Sequence, residues 1–236
     1  MAFISDIHGN LEALEKVLDF TDHMGLKQIL CLGDIVGYGP DPNQCVELIS
    51  QTCLGTVAGN HDWAVAGKTP LEDFNTMARK AIYWTRTKLQ PWNLEYLASL
   101  PLTLTMGDML LVHASPIMPH QWIYIMDPFS ASLALERSCH KMIMVGHSHV
   151  PQAYRMKRKK VETLSFPFPV EEEARYLVNV GSVGQPRDGD PRACCVVLED
   201  GEIRLERISY PAHITAKKIK EKGLPSILGI RILEGW

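Results

Sequence analysis

Phe3-Ile4-Ser5-Asp6-Ile7-His8-Gly9-Asn10 opens on an apolar strand end and passes at once into side chains that bind metals or protons. The same change of character recurs along the chain. Gln28 to Leu32 is followed by Gly33-Asp34, and Thr56 to Ala58 by Gly59-Asn60-His61-Asp62. Met109 to Val112 runs into His113, and Met142 to Val145 into Gly146-His147-Ser148-His149. Short apolar runs bounded by glycine and polar residues read as buried strands. The carboxyl ends of neighbouring parallel strands lie close in space, and open α/β sheets place their sites there. These fragments therefore predict a shared cluster of Asp, Asn and His side chains.

Helix signals lie between the strands. Leu11, Leu14, Val17 and Leu18 recur at helical spacing behind Asn10, a cap residue. Asp41-Pro42-Asn43-Gln44 predicts a helix start, with Asp as cap, Pro in the first helical position and Gln three after the cap. Thr69-Pro70-Leu71-Glu72 repeats that pattern and predicts helix to about Leu100. The second half leans towards β structure. Leu102 to Thr105 and Met109 to His113 flank Gly107-Asp108, and Ala193 to Leu198 and Glu202 to Ile208 flank Asp200-Gly201, each a hairpin pattern. Tyr176 to Val180 reads as another buried strand. Pro211 to Lys222 reads as a helix closed by Gly223, followed by an apolar tail, Leu224 to Trp236, suited either to docking on the body or to an oligomer contact. With no repeat or long linker, residues 1–236 read as one α/β domain with its strands in two packed sheets.

A chain of 236 residues can bury a sizeable core without covalent staples. No window approaches the run of about 18 apolar residues that spans a bilayer. Met1 to Asn10 has neither the basic nor the apolar segment of a signal peptide. The six cysteines include no C-x-x-C pair and suit free thiols in a reducing, cytoplasmic compartment. A net charge of -3 argues against nucleic-acid binding driven by overall charge, and the basic run Arg155 to Lys160 reads as a solvated hairpin.

In an extended strand, residues two apart share a side. On that reading Asp6 and His8 face one ion, and His147 and His149 a common centre. Gly33, Gly59 and Gly146 let the backbone turn close to it. Singly, each fragment has an ordinary explanation: a turn for Asp-x-His, a satisfied core histidine for His113, an Asn-stabilised turn for Gly-Asn-His-Asp. Five in this order, each at a strand end, are hard to assign to chance.

The string Asp6-x-His8, Gly33-Asp34, Gly59-Asn60-His61-Asp62, His113, Gly146-His147-x-His149 resembles the calcineurin-like metallophosphoesterase superfamily. Asn179-Val180-Gly181-Ser182-Val183-Gly184-Gln185-Pro186-Arg187-Asp188-Gly189 resembles its subgroup of small bacterial and archaeal phosphodiesterases. The resemblance implies a four-layer α/β/β/α sandwich of two mixed sheets flanked by helices. It implies one ion on Asp6, His8 and His149, a second on Asn60, His113 and His147, and Asp34 bridging both. Ser148, where Thr is commoner, is the one small departure.

It further implies that His61 is catalytic, protonating the leaving group or stabilising the phosphoryl group. Oxygen and imidazole donors without sulfur suit Mn²⁺, Fe or Zn²⁺, with Ni²⁺ or Co²⁺ as substitutes. The expected arrangement is two ions about 3.5–4 Å apart, and a water between them would lose a proton and attack phosphorus in line with the leaving oxygen. The implied activity is hydrolysis of small phosphodiesters, with phosphomonoesters as a further class. A non-catalytic scaffold of the same fold, a protein phosphatase and a dinucleoside polyphosphate hydrolase are the alternatives. Arg187 is either a bidentate phosphate contact, beside backbone amides that cradle the anion, or one half of a structural salt bridge. Tyr38 and Asn75, near Asp34 and His61 in sequence, are expected to line the substrate cleft, and Trp84, Trp92 and Trp122 to be core or cleft wall.

Overall fold

The computed structural model describes residues 1–236. Its layering follows from strands that are apolar on both faces. Strand β1 (Ala2–Ile4) runs parallel to β2 (Ile29–Cys31), with Ala2 opposite Ile29, Phe3 opposite Leu30 and Ile4 opposite Cys31. Parallel β3 (Gly55–Thr56) extends one side. Antiparallel β11 (Ala193–Glu199), β12 (Glu202–Ile208) and β9 (Phe168–Pro169) extend the other. The second sheet runs β4 (Thr103–Met106), β5 (Met109–Val112), β6 (Met142–Val145), β10 (Arg175–Asn179), β7 (Gln152–Lys157), β8 (Lys160–Leu164). Its three central strands, β5, β6 and β10, are parallel.

Period-two alternation sends each strand's side chains to two different cores. Phe3 and Leu30 meet Met142, Met144, Tyr176 and Val178 between the sheets. Ile4, Ile29 and Cys31 face outward, onto Leu14 and Val17 of α1 (Leu11–His23) and Val46 and Ile49 of α2 (Pro42–Thr52). On the far side Ile143, Val145 and Leu177 pack on Ala131, Ala134 and Leu135 of α6 (Pro128–Arg137). The result is helices, sheet, sheet, helix. Each fully buried side chain of this size contributes about 1.5–3 kcal/mol, and a one-residue slip would exchange the two cores, so the register is strongly specified.

Several local expectations change. Thr69-Pro70 starts no helix: α3 (Asn60–Val65) ends early, and residues 66–75 form a loop whose Leu71 and Phe74 pack on the core. The helix begins at Thr76 instead (α4, Thr76–Lys88), because Asn75 Oδ1 accepts from the backbone N–H groups of Met77 and Ala78. Pro91, which lacks an N–H, then opens a separate α5 (Pro91–Ser99) rather than continuing α4. Asp41 does precede α2, but its carboxylate makes no cap bond. It accepts instead from Lys218 (2.9 Å) and Lys222 (2.7 Å), at the end of α7 (Ala212–Glu221). The strand expected at Thr56 to Ala58 stops at Thr56, since the Ala58 N–H donates to the Pro101 carbonyl outside the ladder. Trp92 is exposed, neither core nor cleft wall. The tail folds as α8 (Ser226–Glu234) and docks on the body, packing Leu228 and Ile232 with Tyr38, Ala81 and Ile219. No helix is long and apolar enough to cross a membrane.

Candidate metal centre

The loops leaving β1, β2, β3, β5 and β6 converge at one edge of the sandwich. Asp6, His8, Asp34, His113, His147 and His149 are all buried there, while Asn60 is half-buried. Two triads face each other. The ligand atoms of Asp6, His8 and His149 form one, and those of Asp34, His113 and His147 the other, each within 4.8 Å of one another. His61 also reaches His8 and Asp34 within that span.

The backbone reason is not the extended chain expected from residue spacing. Asp6, His8, Asp34, His147 and His149 all have positive φ, from 49° to 69°. Non-glycine residues enter this left-handed region at a cost of about 1–3 kcal/mol each and persist only where the surroundings over-determine them. The turns also split the 147–149 pair. His147 joins Asp34 and His113, whereas His149 joins Asp6 and His8. Spacing alone turns both towards a shared centre; the split follows the division that the family resemblance implies.

Hydrogen bonds around the rim set the histidine tautomers. A carbonyl only accepts, so Nδ1 carries the proton in His8 (to Val36 O, 3.1 Å), His113 (to Leu32 O, 2.7 Å) and His149 (to Gln185 O, 2.6 Å). In the neutral rings of His8 and His149 each Nε2 then presents a lone pair inward. His8 Nε2 and His149 Nε2 lie 3.1 Å apart, and His113 Nε2 and His147 Nδ1 3.2 Å apart. Between His8 and His149, two lone pairs at that distance repel unless a cation lies among them, whereas a proton on either ring bridges His113 and His147. Asp6 Oδ1, Asn60 Oδ1 and His147 Nε2 are buried with no hydrogen-bond partner, which in a dry interior is costly. The donor set thus fits a metal ion at each triad.

The electrostatics agree. Burial pushes His61 down to about 4, with Arg187 adding to the shift against the pull of Asp34. Burial likewise takes His147 down to about 3, helped by His113. In His113 burial also opposes the charge, but Asp34 and Asp6 outweigh it and raise the ring to about 9. Burial would raise both Asp6 and Asp34. His149 holds the first well below the carboxylate range, and His113 the second. The two carboxylates are thus kept ionised beside mostly neutral imidazoles, the state that binds a divalent cation.

Residues outside the ligand set hold these loops. The Asp62 carboxylate accepts from the N–H groups of Ile35 (2.9 Å), Val36 (3.2 Å) and Gly59 (3.0 Å), tying the turns after β2 and β3 together. Asn179 donates to Gly146 O (2.7 Å) and Ser148 Oγ (2.8 Å). The N–H groups of Val183, Gly184 and Gln185 are committed to Ser5 O, Asp6 O and Ser182 Oγ. The 181–189 loop therefore buttresses the Asp6 turn and offers no backbone cradle from those amides.

Arg187 makes no salt bridge. Its neighbour Asp188 pairs with Arg207 instead. Arg187 Nη2 donates to Gln185 Oε1 (2.9 Å), its Cζ lies 5.8 Å from the Tyr38 ring, and its buried Nε has no partner. Tyr38 is buried at the centre, with ring centroids 4.7 Å from His8 and 4.6 Å from His61. Asn75 lines the neighbouring cavity while capping α4. The sequence reading missed Phe74 and Tyr124. Tyr124 stacks on His147 at 3.9 Å and Phe74 meets His61 edge-on at 5.1 Å. The only signal for them was aromatic residues in loops, in the 122–124 stretch and just before Asn75.

A model of the calcineurin-like phosphoesterase superfamily domain matches residues 1–201. The chain belongs to that superfamily. Two mixed sheets flanked by helices, with the Asp- and His-bearing turns at the strand ends, are its architecture in this chain. The metallophosphoesterase of Sphaerobacter thermophilus is 40% identical, with 100% of this chain and 98% of that one covered, and superposes with a TM-score of 0.87. Uncharacterized protein MJ0912 of Methanocaldococcus jannaschii is 38% identical over 241 residues, covering 100% of this chain and 98% of its own. Hypothetical protein PH1004 of Pyrococcus horikoshii OT3 shares the fold at 19% identity, with a TM-score of 0.81 over 100% of this chain and 98% of its own. As a member of this metal-dependent phosphoesterase superfamily, the chain carries His/Asp clusters able to hold metal.

Proposed function

We propose that this chain is a dinuclear metal-dependent phosphoesterase acting on small phosphodiesters, with phosphomonoesters as secondary substrates. The observation that carries this reading is the pair of facing triads, with the inward lone pairs of His8 and His149 3.1 Å apart and Asp6 Oδ1, Asn60 Oδ1 and His147 Nε2 buried without a partner. One ion is assigned to Asp6, His8 and His149, the other to Asn60, His113 and His147, with Asp34 shared. Mn²⁺, Fe or Zn²⁺ suits these donors, and Ni²⁺ or Co²⁺ can replace them. When bound, such ions supply Lewis acidity, a deprotonated water and positive charge for the phosphoryl oxygens.

The chain's own residues do the rest. Arg187, a guanidinium with no carboxylate partner, binds and orients a phosphoryl oxygen pair. Tyr38 walls the ligand turns from solvent and keeps His8 and His61 in place. His61 acts on the leaving oxygen. Neutral at pH 7 in the free site, it keeps one ring N–H for a hydrogen bond, and the negative charge of an arriving phosphate favours its protonated form. A purely non-catalytic scaffold would have no use for Arg187 and His61 beside a complete ligand set.

The test is hydrolysis of bis-p-nitrophenyl phosphate and p-nitrophenyl phosphate with each metal added singly, alongside elemental analysis of the purified protein. Turnover that needs two equivalents of metal and prefers the diester is the expected result. No turnover with any metal, or no metal retained under any loading, refutes the reading.

A further inference from the structure

A cavity of about 270 Å³ opens beside the ligand turns and is lined by Asn60, His61 and His147 on its inner side. Its remaining wall is built from separate loops. Phe74 comes from the loop before α4, Tyr38 from the turn after β2, and Trp122 and Tyr124 from the segment after β5. Asp73 and Gln121 stand on the wall as polar groups, and no lysine or arginine lines it. The segment after β5 is held in a costly conformation. Met118 and Trp122, either side of a single 3₁₀ turn (Pro119–Gln121), both have positive φ, 50° and 54°. That strain sets Trp122 against Trp63 and Tyr124 flat against His147, at centroid distances of 5.7 and 3.9 Å.

From this geometry we propose that the cavity binds the organic group of the substrate, and that this group is one planar, nitrogen-bearing aromatic ring system of nucleobase size. The inference rests on the phosphoesterase reading above and adds the substrate class. Aromatic walls on several sides favour a flat ring, which stacks without regard to its exact pattern of substituents. Asp73, an acceptor, and Gln121, donor and acceptor, select a ring that carries N–H groups. The absence of cationic side chains disfavours a second phosphate there. At about 270 Å³ the cavity lies just under the usual range for whole-ligand pockets, a size suited to one ring system. The phosphate then lies towards the metal ligands and Arg187, with the base on the far side of His61.

Two phosphate monoesters that differ only by the base separate this from simple phosphate binding. Adenosine 5′-monophosphate and ribose 5-phosphate are compared as inhibitors of bis-p-nitrophenyl phosphate hydrolysis. Saturation-transfer NMR, which needs no turnover, reads which ligand protons touch the protein. The nucleotide is expected to bind more tightly by about tenfold, the scale of one good aromatic stack. The adenine protons should then receive more saturation than the ribose protons. Phe74→Leu and Tyr124→Leu should each reduce that preference, and Asp73→Asn should reduce it for adenine more than for a ring without an amino group. Equal affinities, or a preference untouched by all three variants, overturn the inference while leaving the phosphoesterase reading intact. A protein that hydrolyses no ester with any metal fails at the earlier step instead.

Discussion

Gly59→Ala adds one carbon at the most crowded point of the ligand turns. A Cβ built there falls 2.0 Å from Asp34 Oδ1 and 2.4 Å from the Asp34 backbone N, where ordinary contact starts at 3.4 Å. Gly59 itself has φ −97°, a value alanine adopts freely, so the effect is steric and local. Asp34 has little room to yield. Its carbonyl accepts from His8 N at 2.9 Å, and the Gly33 carbonyl before it accepts from Asp6 N at 3.0 Å. The carboxylate must therefore swing away by more than an ångström, breaking its 2.8 Å bond from His61 N and leaving its place between His8 and His113. Overpacking of this kind costs about 1–3 kcal/mol, and a lost charge-assisted hydrogen bond about 1.5–3 kcal/mol. At about 2–4 °C per kcal/mol for a chain of this length, the melting temperature should fall by roughly 5–24 °C. Metal retention should fall by more than about tenfold, since displacing a shared ligand exceeds the usual effect of altering a group behind one. Differential scanning fluorimetry and elemental analysis after dialysis read both effects. Gly67→Ala is the control. Its φ is +77° but its Cβ meets nothing, so it should cost about 1–2 kcal/mol of backbone strain and leave metal content unchanged. Wild-type metal content and turnover in Gly59→Ala would show that Asp34 does not hold the ions from this position.

Other outcomes follow from the same geometry. His61→Ala should keep its metal and lose turnover by about 10²–10⁴-fold, and full activity in that variant removes His61 from the chemistry. Arg187→Lys should raise KM for a diester about tenfold with a smaller change in kcat, because an ammonium cannot reproduce the two-pronged contact; unchanged constants would place Arg187 outside the substrate's reach. A metal present at a hundred times its dissociation constant should stabilise the fold by about 2.7 kcal/mol, a rise of several degrees in Tm that a chelator reverses. Identical melting curves with chelator and with Mn²⁺, Fe²⁺, Zn²⁺, Ni²⁺ and Co²⁺ would contradict the ion sites.

Short-range chemistry made much of this protein readable from its residues. Two-sided apolar strands such as Phe3-Ile4 and Met142 to Val145 announce a buried parallel sheet, and the Asp, Asn and His residues at their ends announce a site. The start of α2 at Pro42 and the Asn10 cap were legible for the same reason, since such signals act over a few residues. Asn75 defeated the Thr69-Pro70 signal because Leu71 and Phe74 found burial elsewhere, and long-range packing outranks local propensity. Asp41 gave up a cap bond for two lysines that lie far along the chain, which no window of sequence contains.

By itself the sequence marked which side chains are candidate metal ligands and which strands carry them, because residue type and apolar run are local properties. Only the tertiary structure decided that left-handed turns aim the donors, that Arg187 has no carboxylate partner, and that Phe74, Trp122 and Tyr124 wall one cavity. Those outcomes depend on contacts between loops remote in the chain, where the energy lies in pairs of residues rather than in any one stretch.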